Sequence, residues 1–275
     1  MKPPRGRGDP IDAKRRRGWA RAYAGYKTSV TEESITDWIN QFEAGDHDLA
    51  ARVVDCIDYY SVPRITAAFR ELADVLDGWH IDMKKRSGQW KFCEYSGSAG
   101  TSGSAMIYRF RHAVGLAHSR YNDLFIYRSD ILNQKLGAED SLVLIDDFMC
   151  TGGQAAKSWD EFFEELVSGI GTVYLVTVAA CREAVDKVSK ETGLRVVSAH
   201  VLGQEENVFA DACKHFDKDE KARLETYGAR LDKDEPRGHG GCGLVIVFSH
   251  NCPNNTIPVL HRAKGSWQPL FPRQD

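Results

Sequence analysis

From residue 34 to about residue 76 the apolar positions fall three and four residues apart: Trp38, Ile39 and Phe42, then Leu49, Val53, Ile57 and Tyr60, then Ile65, Phe69 and Leu72. That spacing predicts helices with one buried face. Gly45-Asp46 breaks the first helix from the second, and Ser61-Val62-Pro63 the second from the third. Further on the rhythm changes to short apolar runs alternating with amphipathic ones. Residues 90–95 read as a strand, 96–103 as a Gly/Ser loop, 104–118 as a helix, 123–127 as a short strand and 141–146 as a strongly apolar one. A helix over 154–167, a strand over 172–180, a helix over 182–192 and a strand over 195–201 follow. Residues 205–231 read as mostly helical and highly charged, and 243–249 as the last clear strand. Strands separated by helices, several of them apolar throughout, predict an α/β fold with a mostly parallel sheet covered on both faces. The expected organisation is a basic tail (1–18), an N-terminal helical segment (19–85) and an α/β domain (86–275) with a charged helical insertion at 203–240.

A chain of 275 residues, 42% of them hydrophobic, can bury the core of one large domain or of a domain with an appended lobe. A formal charge of -3 gives no global attraction to nucleic acid or to a membrane. No apolar run approaches the ~20 residues of a bilayer span. The opening residues have no apolar signal core, so a cytoplasmic location is expected. The tract Lys14-Arg15-Arg16-Arg17 reads either as a solvated, poorly ordered tail or as a local clamp on nucleic acid or an acidic partner. The charged face of 205–231 reads either as solvated surface or as a partner-docking insertion.

The seven cysteines are odd in number, scattered and without a CxxC pair, which suits reduced thiols. His239 and Cys242 lie before an apolar strand, His250 and Cys252 after it. The two pairs would stand roughly 25 Å apart, whereas zinc ligands converge within ~2.3 Å of one ion. No zinc site is expected there.

Candidate chemistry concentrates in SLVLIDDFMCTGGQAAKSW, residues 141–159. An apolar strand ends in Asp146 and Asp147, and Thr151-Gly152-Gly153-Gln154 opens a helix. The glycines let backbone N–H groups approach an anion without a Cβ in the way. Those N–H groups belong to a first helical turn, where they lack partners and the helix dipole favours negative charge. The Thr151 hydroxyl adds a donor. The two carboxylates would repel a phosphate, but suit ribose hydroxyls or a hydrated magnesium ion. The segment is therefore built for a sugar phosphate at the carboxyl end of a parallel strand. No Gly-Lys-Ser/Thr follows the glycines, and no acid follows them by about twenty residues, so a P-loop and a dinucleotide fingerprint both fit poorly.

Leu144-Ile145-Asp146-Asp147-Phe148-Met149-Cys150-Thr151-Gly152-Gly153 resembles the phosphoribosyl-pyrophosphate (PRPP) signature of type I phosphoribosyltransferases, with Cys150 where a small residue is usual. The resemblance implies that Asp146 and Asp147 take the ribose hydroxyls and that Thr151, Gly152, Gly153 and Gln154 hold the 5′-phosphate. It also implies a type I phosphoribosyltransferase-like fold with a hood-like C-terminal tail. A second resemblance rests on Asp37-Trp38-Ile39-Asn40-Gln41-Phe42, on 248–256 and on 267–273. These look like the phosphoribosyltransferase-like proteins of prokaryotic conflict systems, which implies a role in anti-phage defence beside a reverse transcriptase or another defence partner.

Other positions carry two readings each. The loop of Ser96, Gly97, Ser98, Gly100, Thr101, Ser102 and Gly103 could hold a diphosphate on backbone donors, or be a plain flexible loop; it contains no Lys or Arg. Asn251, Asn254, Asn255 and Thr256 would share the crevice with Asp146 if the last strand is parallel to the others, and could read a base or an acceptor. Asn and Pro there equally make turns. Trp267 could stack on a base or pack, with Leu270 and Phe271, on the core. His239 and His250 could act as general acids or bases, or be structural. The expected activity is magnesium-assisted transfer or cleavage of the phosphoribosyl group of PRPP; the alternative is a PRPP- or nucleotide-sensing subunit without turnover.

Overall fold

The computed structural model describes residues 11–95 and 103–273. In chain order the elements are helices α1 (Ala13–Ala22), α2 (Glu32–Ile39) and α3 (His47–Asp55), strand β1 (Asp58–Tyr60), helix α4 (Val62–Asp74), strand β2 (Trp90–Glu94), helix α5 (Gly103–Ala113) and strand β3 (Ser141–Met149). Helix α6 (Gly153–Phe162), strand β4 (Thr172–Cys181), helix α7 (Arg182–Thr192), strand β5 (Arg195–Leu202), helix α8 (Lys218–Leu231), strand β6 (Ile246–Phe248) and a final turn α9 (Pro258–His261) complete them. They form two compact units, Pro63–Gly203 and the combination of Met1–Val62 with Gln204–Asp275.

The continuous unit carries a four-stranded parallel sheet in the order β2-β3-β4-β5. Side chains alternate across a strand, and β3 is apolar on both sides because both are covered. Leu142 and Leu144 of β3, with Cys93 and Leu175, pack against Trp159 and Phe163 at α6 and Ala184 and Val188 of α7. Phe92, Val143 and Ile145 are also fully buried. Phe92 meets Phe110 of α5 at 5.1 Å between ring centroids, and Phe110 meets Phe69 of α4 at 5.6 Å. Of the strand expected over 123–127, Phe125 alone pairs, in one parallel bridge to Phe92, and Asp123 and Leu124 end a 3-10 turn, Ser119–Leu124. Helix α5 stops at Ala113, and two residues later Gly115 turns the chain with φ 75°.

The discontinuous unit has a two-stranded parallel sheet, Asp58↔Ile246 to Tyr60↔Phe248. Strand β1 falls where helical spacing had been read through Ile57 and Tyr60. Its partner β6 therefore pairs outside the four-stranded sheet. The stretch read as a charged insertion is part of this unit's core. Glu220, 6% exposed, pairs with Arg52 of α3 and closes a capping box with Asp217. Arg223 and the Tyr227 hydroxyl donate to buried Asp46 at 2.6 and 2.9 Å.

The basic tract, expected in an irregular tail, lies on α1, whose first turn is capped by Asp12 accepting from the Arg15 N–H at 2.8 Å. Arg15 pairs with Asp55 and Arg16 donates to the Ile11 carbonyl. Lys14 and Arg17 are the exposed cations of that tract. Among the described residues no helix is long and apolar enough to cross a membrane.

His261 gives this unit an acid-sensitive point. Its Nε2 donates to the Thr256 carbonyl at 3.0 Å, while buried Nδ1 has no hydrogen-bond partner. Burial, the largest cause, lowers its pKa from 6.5 to about 4, and Arg273 and Arg262 push the same way. The folded ring thus stays neutral over a range in which the unfolded ring takes up a proton. Its stabilising balance is complete above pH 6.5 and is lost as pH falls towards 4. Between pH 7 and pH 5 the loss is expected to be roughly 2 kcal/mol. Urea unfolding of the wild type and His261→Asn at the two pH values checks this; equal pH dependence in both would refute it.

Candidate functional site

Strand β3 does not stop at the acids. It runs on to Met149, with Asp146 opposite Thr177, Phe148 opposite Ala179 and Met149 opposite Ala180 of β4. Asp146 shares the face of Leu142 and Leu144, which α6 covers; the β3–β4 ladder skips Asp147, and Met149 rejoins the same core cluster. Both are half-buried, and the Asp146 carboxylate accepts from the Asp147 N–H at 2.8 Å. Asp146 stands on the side of the glycine turn, where its charge acts on Tyr95.

That turn follows directly. Cys150 is buried, Thr151 half-buried, and Gly152 takes the left-handed conformation with φ 69° and ψ -7°. A side chain there would be strained by the backbone angle, and its Cβ would stand 3.1 Å from Val188 Cγ2 and 3.3 Å from Ala184. Glycine is needed at 152 for the turn and for its seat on α7. Helix α6 opens at Gly153 with no side-chain cap and no acid in its first turn. The first intrahelical bond runs from the Ala156 N–H to the Gly152 carbonyl at 2.9 Å. The preceding amides sit at the positive end of the helix dipole, as an anion site requires. Gly153 has ordinary backbone angles, and the nearest atom to a Cβ there would be Thr151 Oγ1 at 3.7 Å. The same hydroxyl lies 3.4 Å from the Gly153 N–H, and Gln154 is exposed.

Two further residues frame the site that the motif alone did not point to. Tyr95, just past β2, donates its hydroxyl to the Ala155 carbonyl at 2.6 Å and so ties the first turn of α6 to the sheet. Burial raises its pKa most, and the charges of Asp146 and Asp160 raise it further, which keeps it a protonated donor. Thr177 is fully buried beside Asp146, and its Oγ1 has no hydrogen-bond partner. A hydroxyl inside an otherwise apolar strand (Leu175, Val176, Val178) was the available signal for it.

Of the expected diphosphate loop, Ser96, Gly97, Ser98, Gly100, Thr101 and Ser102 lie outside the described residues; Gly103 is the buried first residue of α5. Glu94 at the end of β2 accepts from Ser104. Both line a cavity of about 500 Å³ with Tyr108, Arg111, Asn122 and Tyr127. Arg111 Nε is buried there without a hydrogen-bond partner, and Nη2 donates to Asn122 at 2.8 Å. Periodicity gave no hint of this cavity, because Phe125, Ile126 and Tyr127 of its wall carry a strand pattern but form no strand.

The remaining candidates belong to the discontinuous unit. Asn251 accepts from Lys27 at 3.0 Å, and the Asn254 carbonyl accepts from the His239 N–H at 2.8 Å. Asn255 donates to the His239 carbonyl at 3.0 Å, and Thr256 to the Ile246 carbonyl at 2.7 Å. Trp267 donates to the Val259 carbonyl at 3.1 Å and packs on Phe42 at 5.1 Å. Its surroundings are those of the core-packing reading. His239 approaches Glu235 at 3.2 Å. Among the described residues no group of three or more His, Cys, Asp or Glu side chains converges as an all-protein metal site would. A magnesium ion that keeps its waters and takes its other ligands from a substrate needs fewer, and one carboxylate such as Asp146 suits it.

A parallel sheet whose acid-bearing strand feeds a left-handed glycine turn at an uncapped helix start is the arrangement of a phosphoribosyltransferase-like α/β protein. Residues 35–273 match the PRTase-CE family model, and the chain belongs to that family. Among solved structures it is similar to a hypoxanthine-guanine-xanthine phosphoribosyltransferase, at 13% identity and TM-score 0.35 over 54% of this chain and 81% of that one. It is also similar to the orotate phosphoribosyltransferase of Aeropyrum pernix, at 15% identity and TM-score 0.28 over 51% and 68%. No curated protein matches it. The family match, rather than these two likenesses, places the chain.

Proposed function

We propose that the chain binds PRPP, with magnesium, on the β3–α6 turn and transfers or cleaves its phosphoribosyl group. The observation that carries this is the junction itself: Asp146 on the α6 face of β3, followed by Gly152 in the left-handed conformation and a helix start without side-chain cap or first-turn acid. The 5′-phosphate would sit on the amides of Gly153, Gln154 and Ala155 with the Thr151 hydroxyl. Asp146 would accept from a ribose hydroxyl and fix the sugar. Diphosphate leaves C1′ as positive charge builds on the ring, so the protein's task is to hold the ribose still and to stabilise charge. Magnesium, when bound, would neutralise the departing diphosphate. The segments 37–42, 248–256 and 267–273 support placing this chemistry in anti-phage defence beside a protein partner.

A sensing subunit without turnover is the second reading, favoured by the lack of Lys or Arg across 96–103. Calorimetric titration with PRPP and magnesium, followed by assay of the mixture for diphosphate, separates them. Binding with release is the expected result. Binding without release would leave the sensor, and absence of binding would remove the reading of the junction. Chelation of magnesium should weaken binding and stop release.

A further inference from the structure

The residues at the two strand ends beneath the glycine turn are cysteines. Cys150 follows the last residue of β3, and Cys181 is the last of β4. The β3–β4 register pairs Met149 with Ala180, so the next pair in that register would be Cys150 and Cys181. Their sulfurs stand 3.0 Å apart, and neither is in a disulfide. Residues directly opposite on neighbouring strands have backbones about 4.8 Å apart, inside the ~4.4–6.8 Å range of Cα separations that a disulfide accepts. The sulfurs need close by only about 1 Å to bond.

The connections of the two residues bear on what a bond would do. Cys150 leads into Thr151 and Gly152, and Cys181 leads into α7. Gly152 already rests on Ala184 and Val188 of α7. A Cys150–Cys181 bond would therefore tie the start of the turn to the helix against which the turn is seated. Accessibility differs in a useful way: Cys150 is 5% exposed, whereas Cys181 is half-buried and reachable. By contrast, Cys93 and Cys252 are enclosed, and burial pushes both up to about 12, where they stay protonated.

We propose that Cys150 and Cys181 form a reversible disulfide that restrains the 151–154 turn and weakens phosphate-ligand binding there, with a low-molecular-weight disulfide as oxidant. The thiolate of Cys181 attacks one sulfur of that disulfide and releases the other half as a thiolate. The thiolate of Cys150 then attacks the Cys181 sulfur and displaces the second half. Two electrons pass from the cysteines to the small disulfide, and the two cysteine protons leave with the two small thiols. This regulation rests on the function proposed for the junction, but the bond and its effect on the turn do not.

The test equilibrates the whole chain in glutathione buffers of rising disulfide fraction and follows three readouts. Peptide mass spectrometry reads the bond, hydrogen exchange of the ligand-free protein reads the 151–156 amides, and calorimetry reads PRPP with magnesium. The expected result is a 150–181 linkage reversed by dithiothreitol. It should be accompanied by slower exchange at the turn and at least a tenfold weaker PRPP affinity. Cys181→Ser should bind as the reduced wild type does and ignore the oxidant. Persistence of both thiols in the oxidising buffers would overturn the proposal, as would a bond that leaves exchange and affinity unchanged. If reduced protein does not bind PRPP while the bond forms and slows exchange, the function reading fails and the redox restraint of the turn stands.

Discussion

Asp146→Asn is expected to lower PRPP-dependent diphosphate release by about a hundredfold or more, and Asp147→Asn by about tenfold or less. The difference comes from Asp146 keeping its place in the β3–β4 ladder, opposite Thr177, whereas the ladder skips Asp147. A carboxylate that accepts from a ribose hydroxyl must stand on the side of the turn that would hold the 5′-phosphate, and the face it shares with Leu142 and Leu144 gives that side to Asp146. Replacing one carboxylate oxygen by an amide keeps the shape, removes the charge and puts a donor where an acceptor is needed. Misplacement of the sugar by about 1 Å can itself cost a hundredfold. Both acids are half-buried, so neither change should move thermal unfolding much, and calorimetry would show whether affinity follows turnover. Equal losses in the two variants would mean that both carboxylates reach the ribose. A sensor would show the same ordering in affinity, with no turnover to lose.

The second large effect is on folding. Gly152→Val places a β-branched side chain at φ 69°, at a cost of about 1–2 kcal/mol. It also drives a Cβ to 3.1–3.3 Å from Val188 and Ala184, and overpacking of this kind costs about 1–3 kcal/mol. A total near 3 kcal/mol is expected in urea unfolding, together with loss of PRPP binding. Gly153→Ala is the matched contrast. Its backbone angles are ordinary and its surroundings open apart from Thr151 Oγ1, so stability should change by less than about 1 kcal/mol while the added methyl obstructs the phosphate. Adjacent glycines would then answer differently, the first through the fold and the second through the ligand. If Gly152→Val unfolds like the wild type, the seat on α7 is not what holds the turn.

Several elements were legible because one local cause decided them. Helix α7 was read at 182–192 and runs over those residues, since a strand before it and the Thr192-Gly193 stop after it leave no alternative. Gly193 indeed turns with φ 72°. The apolar run of β3 marked the strand that carries Asp146, and the paired glycines marked the left-handed turn at the start of α6. What could not be read is what depends on distant partners. Three residues, Asp58-Tyr59-Tyr60, are too few to interrupt a helical spacing, and they become a strand through Ile246–Phe248. The same pairing draws β6 out of the sheet to which an apolar run alone would assign it. The charged face of α8 looked solvated because Glu220 and Arg223 carry no sign in the sequence of their partners Arg52 and Asp46. Tyr95 and Thr177 join the site through strand neighbours, which a linear motif does not contain.

The discontinuous unit has a further consequence for how the protein is made. Strand β1 pairs with β6 in the register Asp58↔Ile246, so its partner is synthesised some 190 residues later. At about 5–20 residues per second a ribosome needs roughly ten to forty seconds to cover that distance. Throughout that interval Trp38, Phe42 and Val53 lack the Val247, Leu260 and Phe271 that share their core. The continuous unit, by contrast, has all its strands once Leu202 has emerged. The nascent chain should therefore hold a finished four-stranded unit and an unfinished helical one. Ribosome-arrested chains ending after residue 240 should protect β2–β5 from protease and leave 11–62 open to it, making that early segment the natural client of a nascent-chain chaperone.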